Sequence, residues 1–467
     1  MVKANKLGLI EHAQKTLDKT YPAYKIQLGS DFEVVVRRPI YTKSSVAGTA
    51  TRGYLGYSIQ GKRLVFLKDL WDNERNEFQL TEREVYELLI PCHSPHIPKS
   101  LFVGLVSNSK GNSQITRSQA LAFSVWTRRE HCRVVQEVYY PISELLSSKD
   151  VVCVIRDCLL ALHEAYLKAK IVHSDVSTGN VMMTSECAGI LNDWGNGFEA
   201  GTKPCFRSGT WAFMSCEKAR DRDLHYHPSI KDDIESMFWV LYCQMLQSFV
   251  TENTELRWHW KMFIEREVMV IDGRPRGVGG TLKYEFLTSQ HRADQFRDGV
   301  TMTSPALKDL IFQFRNLLGR YYISGEKLKN PEFCQLPVDE QQEHQRNVDA
   351  LKDARAVLQL FDEALLQDGW VCGDAYERKI WVEQQSHVAF VSSFGVPSGA
   401  EIYDVLYSMP DYDLVTEDKT VEPLEPDYPQ IHTGKRPRSD HPKARNGSDA
   451  GSQSSVEEPL PKKAKQG

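Results

Sequence analysis

The chain carries Ile171-Val172-His173-Ser174-Asp175-Val176-Ser177-Thr178-Gly179-Asn180 and then, after a short apolar run, Leu191-Asn192-Asp193-Trp194-Gly195. A carboxylate, a side-chain amide and a second carboxylate at this spacing suit phosphoryl transfer. Asp175 can accept the proton of an attacking hydroxyl, while Asn180 and Asp193 offer oxygen ligands to magnesium beside a nucleotide triphosphate. His173 is expected to pack beneath the loop, since a lone histidine there is more often a satisfied core residue than a base. Asp193 taken alone would be an ordinary turn residue; behind His-x-Asp-x-x-x-x-Asn it is expected to face the phosphates.

Upstream, Lys68 finishes the apolar run Leu64-Val65-Phe66-Leu67, where an ammonium can reach the α- and β-phosphates. A helical stretch follows in which Glu82 has Val85, Tyr86 and Leu89 three, four and seven residues on, so its face borders the apolar stripe and points toward Lys68. Glu84 is the second candidate partner. Ahead of Lys68, Gly48-Thr49-Ala50-Thr51-Arg52-Gly53 has a Gly-x-Gly-x-x-Gly arrangement with Ala50 at its middle glycine. Glycine lets the backbone bend close to phosphate oxygens, and Ala50 hinders that approach modestly. Downstream lie Ser208-Gly209-Thr210-Trp211-Ala212-Phe213-Met214-Ser215-Cys216-Glu217 and a helix start at Lys231-Asp232-Asp233, whose Asp233 can bond the backbone of the Asp175 loop from beneath.

The elements that must position these residues fall in two groups. Phe32 to Val36, Tyr54 to Ile59, Arg63 to Leu67, Ser100 to Val106 and Cys132 to Tyr140 read as strands, with a helix over Phe78 to Ile90 among them. After Pro141 the pattern turns helical over Val151 to Ala169, Ile230 to Thr251, Pro305 to Tyr322 and Val348 to Gln367. Strands first and helices second predict an α+β protein in two lobes with a cleft between them. The expected division is a lead-in helix over 1–30, a β-rich lobe over 31–140, a helical lobe over 141–375, an extension over 376–410 and a disordered tail over 411–467. Trp258-His259-Trp260 and the stretch Gly273 to Gly280 read as an insertion packing on the helical core.

At 467 residues the chain has room for a large core, and its formal charge of -5 gives no general attraction to nucleic acid or membrane. Neither a membrane partner nor direct nucleic-acid binding is expected. The ten Cys include no C-x-x-C pair, which argues against a zinc site and for reduced thiols in an intracellular protein of the nucleus or cytoplasm. The tail composition cannot offset its ordering entropy. Its clusters Lys435-Arg436-Pro437-Arg438 and Pro461-Lys462-Lys463-Ala464-Lys465 are of the kind importins read, although solvated polyampholyte is the equal alternative.

Together these stretches resemble the eukaryotic protein kinase superfamily, most closely the fungal-type protein kinase family. His-x-Asp-Val-Ser-x-Gly-Asn, Asp-Trp in place of Asp-Phe, Gly-Thr-Trp-x-Phe-Met-Ser, Ser-Cys-Glu in place of Ala-Pro-Glu and Asp-Asp-Ile-Glu-Ser-Met-Phe-x-Val-Leu carry the likeness, over residues 30 to 325. The resemblance implies a bilobal fold, binding of ATP and Mg2+, and transfer of the γ-phosphate to Ser or Thr hydroxyls of protein substrates. Ser174 replaces the Arg that pairs with an activation-segment phosphate in many kinases, and Ser177 the Lys that steadies the γ-phosphate. Two alternatives stay open: a scaffold that keeps the fold without efficient catalysis, and a small-molecule phosphotransferase, against which the Gly-Thr and Ser-Cys-Glu segment stands.

Overall fold

A computed structural model describes residues 23–42, 49–73, 80–117, 128–202, 208–221, 226–253, 256–271, 274–330, 332 and 335–375. The chain divides into two units, Met1–Pro410 and Asp411–Gly467, and every described residue lies in the first. The expected helix over residues 1–22, the extension after 375 and the tail with its basic clusters lie outside the described residues, as does Gly48.

Seven strands form one antiparallel sheet: β1 (Tyr24–Leu28), β2 (Phe32–Val36), β3 (Tyr41–Thr42), β4 (Arg52–Ser58), β5 (Arg63–Asn73), β6 (Ser100–Leu105) and β7 (Arg129–Gln136). Their order is β1-β2-β4-β5-β7-β6, with β3 pairing β4. Residues 24–28, read as part of a helix, form the edge strand β1 because Tyr24, Ile26 and Leu28 alternate toward a cluster with Val34, Val36, Val65, Leu67 and Val135. Lys68 does not end its strand. β5 continues to Asn73 because Asp69–Asn73 go on pairing with Arg133–Arg129 of β7. Alternation along β5 sends Val65 and Leu67 to the first cluster and puts Lys68 on the opposite face with Leu70, which packs with Val85, Tyr86 and Leu89. Those three belong to α1 (Glu82–Leu89), which begins later than expected because Thr81 and Glu84 form a capping box there.

The rest is helical: α2 (Ser148–Glu164), α3 (Cys216–Arg220), α4 (Ile230–Ser248), α5 (Leu256–Ile264), α6 (Thr281–Thr288), α7 (Gln290–Gly299), α8 (Pro305–Lys329), α9 (Val338–Asp349) and α10 (Arg355–Leu366). The architecture is mixed α and β, with ten helices and a curled antiparallel sheet among the described residues. Helix α4 is buried almost all round, as a helix at the centre of a core must be. The helix expected over Val348 to Gln367 is two helices. Val348 belongs to α9, and the chain turns at Ala350–Ala354 before α10; Asp353, one residue ahead of the N-cap Ala354, accepts the Arg355 N–H at 2.9 Å.

Trp258, His259 and Trp260 lie on α5 and pack into the core, with His259 Nδ1 2.6 Å from the Tyr242 hydroxyl. Much of the stretch after it is a hairpin rather than a loop, Glu267–Ile271 against Arg274–Val278. No described helix is long and apolar enough to cross a membrane.

Candidate active site

The Asp175 loop is fastened from below by α4. Asp233, in the first turn of that helix, accepts the His173 N–H at 2.7 Å and the Ser174 N–H at 2.8 Å through its two oxygens. A capping box of Ser229 and Asp232 starts the helix, so the Asp pair follows its N-terminus, where backbone N–H groups favour negative charge. Burial raises the Asp233 carboxyl to about 7, against the pull of Lys218 and the two donated N–H groups.

His173 ties two loops together. Its Nε2 lies 2.9 Å from the Asn192 carbonyl, which can only accept, so Nε2 carries the proton and Nδ1 accepts the Asp175 N–H at 3.2 Å. Fully buried against the edge of Trp194, it is held neutral, its pKa pushed down to about 4 by burial. Trp194 donates from Nε1 to the Leu191 carbonyl at 2.8 Å, which gives this buried indole its partner.

Above this foundation the Asp175 carboxylate is aimed by three donors. Oδ1 accepts the N–H and the hydroxyl of Thr210, both at 2.7 Å, and Oδ2 accepts Asn196 Nδ2 at 2.9 Å. One lone pair of Oδ2 remains for a hydroxyl proton. Burial raises the Asp175 carboxyl, with Thr210 opposing it. Asn180 closes the loop by donating from Nδ2 to the Asp175 carbonyl at 2.8 Å, which commits the nitrogen and leaves its oxygen turned elsewhere.

Lys68 joins the sheet to α1 and to the turn that carries Asp193. Its Nζ lies 2.9 Å from both carboxylate oxygens of Glu82 and 2.6 Å from Asp193 Oδ1. Burial lowers the ammonium pKa, but Asp193 and Glu82 more than offset this and hold it well above the ordinary range. Glu84 takes no part; its carboxylate accepts the Thr81 N–H at 2.9 Å in the capping box. Asp193 stands at φ 61, a left-handed conformation that Asp tolerates better than most residues. A Cβ at Gly195 beside it would lie 2.9 Å from a Glu82 carboxylate oxygen, so a larger residue there would push that carboxylate aside.

The proposed phosphate loop is seen only in part. Ala50 adopts φ 41, so the backbone takes a left-handed bend although the residue is not glycine. Gly53 lies inside β4 opposite Lys68, and the Phe66 ring occupies the space a Cβ would need, at 2.7 Å. Its small size serves packing at the base of the loop.

Three contributors were missed from sequence. Asn196 reaches Asp175 from the turn after Gly195, Lys218 holds the backbone of Ser174 from α3, and Tyr41 on β3 stands in the fields of Asp193 and Lys68. No short motif marks any of them; each acts across a contact made by folding.

Residues 75–245 match the fungal protein kinase family. The match contains Glu82, Asp175, Asn180, Asp193, Thr210 and Asp233 and begins after Lys68, Ala50 and Gly53. The matched segment carries the loop and its foundation, and its likeness to the fungal protein kinase family points to a kinase-like function. No curated protein matches the chain.

The donor set suits magnesium with a nucleotide triphosphate. Asp193 and the oxygen of Asn180 are hard ligands, and Mg2+ usually takes one or two protein oxygens and completes its shell with phosphate and water. Among the described residues no group of three or more His, Cys, Asp or Glu side chains is arranged to hold a metal ion.

Proposed function

We propose that the chain is an ATP- and magnesium-dependent protein kinase that transfers the γ-phosphate to Ser or Thr hydroxyls of protein substrates, in a cleft between a β-rich and a helical lobe. The observation that carries this reading is the linked constellation in which Thr210 and Asn196 aim Asp175 while Lys68 ties Glu82 of α1 to Asp193.

In this reaction the substrate oxygen bonds to the γ-phosphorus, the bond from that phosphorus to the β–γ bridging oxygen breaks, and ADP leaves with its electron pair. Asp175 accepts the hydroxyl proton through the free lone pair of Oδ2, and Thr210 keeps the carboxylate facing the acceptor. Lys68 places its charge on the α- and β-phosphates, and Glu82 keeps the ammonium extended toward them. Asn180 and Asp193 would hold magnesium, which when bound would neutralise phosphate charge. Ala50, at its left-handed bend, would lie over the phosphates, and Gly53 packs at the base of that loop.

A protein acceptor is favoured by the segment Ser208 to Glu217, whose anchor is built into the core. Ser215 bonds the Asp232 carboxylate, the Cys216 N–H donates to Glu235 at 2.8 Å, and Glu217 pairs with Lys231 at 2.7 Å. Importins are proposed to read the basic tail clusters, which would distribute the protein between cytoplasm and nucleus. The test is labelled-phosphate transfer from Mg-ATP to the chain itself or to a generic basic protein. Transfer to Ser or Thr supports the proposal; nucleotide binding without transfer makes the chain a scaffold, and transfer only to amino alcohols or sugars makes it a small-molecule phosphotransferase.

A further inference from the structure

Resting on the kinase reading, we propose that Lys218 is a positioning residue that locks the catalytic loop to the Gly-Thr segment through Ser174, so that this segment is held for catalysis without being phosphorylated.

Ser174 has φ 66, a left-handed conformation that is unfavourable for an L-residue with a Cβ and persists only where the surroundings impose it. Both of its peptide groups are fastened. Its N–H goes to Asp233 at 2.8 Å, and its carbonyl accepts Lys218 Nζ at 2.8 Å. The same ammonium donates to Ser174 Oγ at 2.7 Å, and that hydroxyl lies 3.0 Å from Ser208 Oγ. Gly209 completes the junction: with φ 111 it brings its backbone against the Ser174 carbonyl, where a Cβ would lie 2.7 Å away. The turn that aims Asp175 is therefore clamped between a buried carboxylate on α4 and a buried ammonium on α3.

Charge makes this a substitute for a switch. Where a kinase carries Arg at the position of Ser174, the loop presents a cation and needs an added phosphate on the segment to meet it. Here the cation resides on the segment side, in the helix that follows it, and the loop offers a carbonyl and a hydroxyl. Attraction between the two is complete with no modification. Lys218 is 5% exposed, and its charge also favours ionisation of Asp233 and Asp175.

The experiment uses the full-length chain with Lys218→Met, Lys218→Arg and Ser174→Gly, the last keeping the left-handed turn and the carbonyl while removing the hydroxyl. Wild-type protein treated with phosphatase is expected to keep its transfer rate within about twofold. Lys218→Met is expected to lower kcat about 30-fold with the KM for ATP nearly unchanged, and Lys218→Arg to recover most of the loss, since misplacement of a catalytic group by about 1 Å costs this order of rate. Ser174→Gly, which keeps the carbonyl anchor, stays within about fivefold of wild type.

Amide exchange at Ser174 to Val176 and Gly209 to Trp211 rises in Lys218→Met while α4 and α8 stay protected. A kcat equal to wild type in Lys218→Met, or activity that vanishes with phosphatase, overturns the proposal. Should wild-type protein transfer no phosphate, the kinase reading fails by itself. Exchange then decides the positioning role: local loosening in Lys218→Met sustains it and unchanged protection refutes it. Should Lys218→Met unfold, Lys218→Arg and the phosphatase arm decide the matter: near-wild-type transfer in both sustains the role, and loss of transfer in either refutes it.

Discussion

The loop that carries Asp175 and the sheet residue that carries the ammonium are held in opposite ways. The loop rests on buried polar groups of one helix, with Asp232, Asp233 and Glu235 of α4 each fixing a different backbone or side-chain group of the segments above. Lys68 is positioned by strand alternation and is met by carboxylates 14 and 125 residues away in sequence. Its partner Asp193 keeps 39% of its side chain exposed, whereas Asp233 is 2% exposed. On the kinase reading the difference is expected to separate stability from readiness: loss of the foundation should destabilise the helical core, whereas loss of the ion pair should cost activity in a folded protein.

The sharpest break in that comparison is Asp233→Ala, which strips two buried N–H groups of their acceptor and leaves Lys218 without its nearby carboxylate. A loss of about 3 to 5 kcal/mol in denaturant unfolding is expected. Lys68→Met is the counterpart. It is expected to cost transfer activity about 100-fold or more while moving stability by less than about 2 kcal/mol, because the lysine sits at the edge of the core and the buried Glu82 can take up a proton.

Acidity acts on the foundation through His173. Its folded pKa of about 4 lies below the ordinary 6.5, so as pH falls through 6.5 the unfolded chain binds a proton that the folded chain refuses. Stability is full above 6.5 and declines down to about 4, by about 3 kcal/mol in all, since each pKa unit is worth 1.36 kcal/mol. Melting temperatures of wild type and His173→Gln across this range check it: the variant is expected to show a shallower acid slope, with His259 contributing its own share. A smaller effect separates the two glutamates of α1. Glu82→Gln is expected to lower kcat about tenfold or more with the helix intact, and Glu84→Gln to cost about 1 kcal/mol of stability through the capping box with kcat preserved.

What the sequence revealed follows the same division. Asp175, Asn180, Asp193 and Asp233 lie in short patterns whose spacing itself encodes a loop, a strand end and a helix start. Glu82 was legible from helical spacing, because its apolar neighbours fix which face turns inward. Lys68 was found for its apolar context, but the length of β5 was not, since Asp69 to Asn73 are largely polar and their pairing with β7 is settled only in the folded sheet. Asn196, Lys218 and Tyr41 stayed hidden because their partners are other segments. The hairpin at 267–278 was readable in principle: Glu267-Val268-Met269-Val270 precedes Asp272-Gly273, a pair that favours tight hairpin turns. The break between α9 and α10 was masked by apolar spacing that runs on through Leu351.

The most direct test of the account is phosphate transfer by Asp175→Asn, which preserves the shape of the loop while removing the base. With Mg-ATP and a basic protein, wild-type chain is expected to phosphorylate Ser or Thr, and Asp175→Asn to do so at least about 100-fold more slowly with nucleotide binding nearly unchanged. Transfer by Asp175→Asn at the wild-type rate would contradict the assignment of the base, and Mg-ATP binding by wild type with no transfer would contradict catalysis itself.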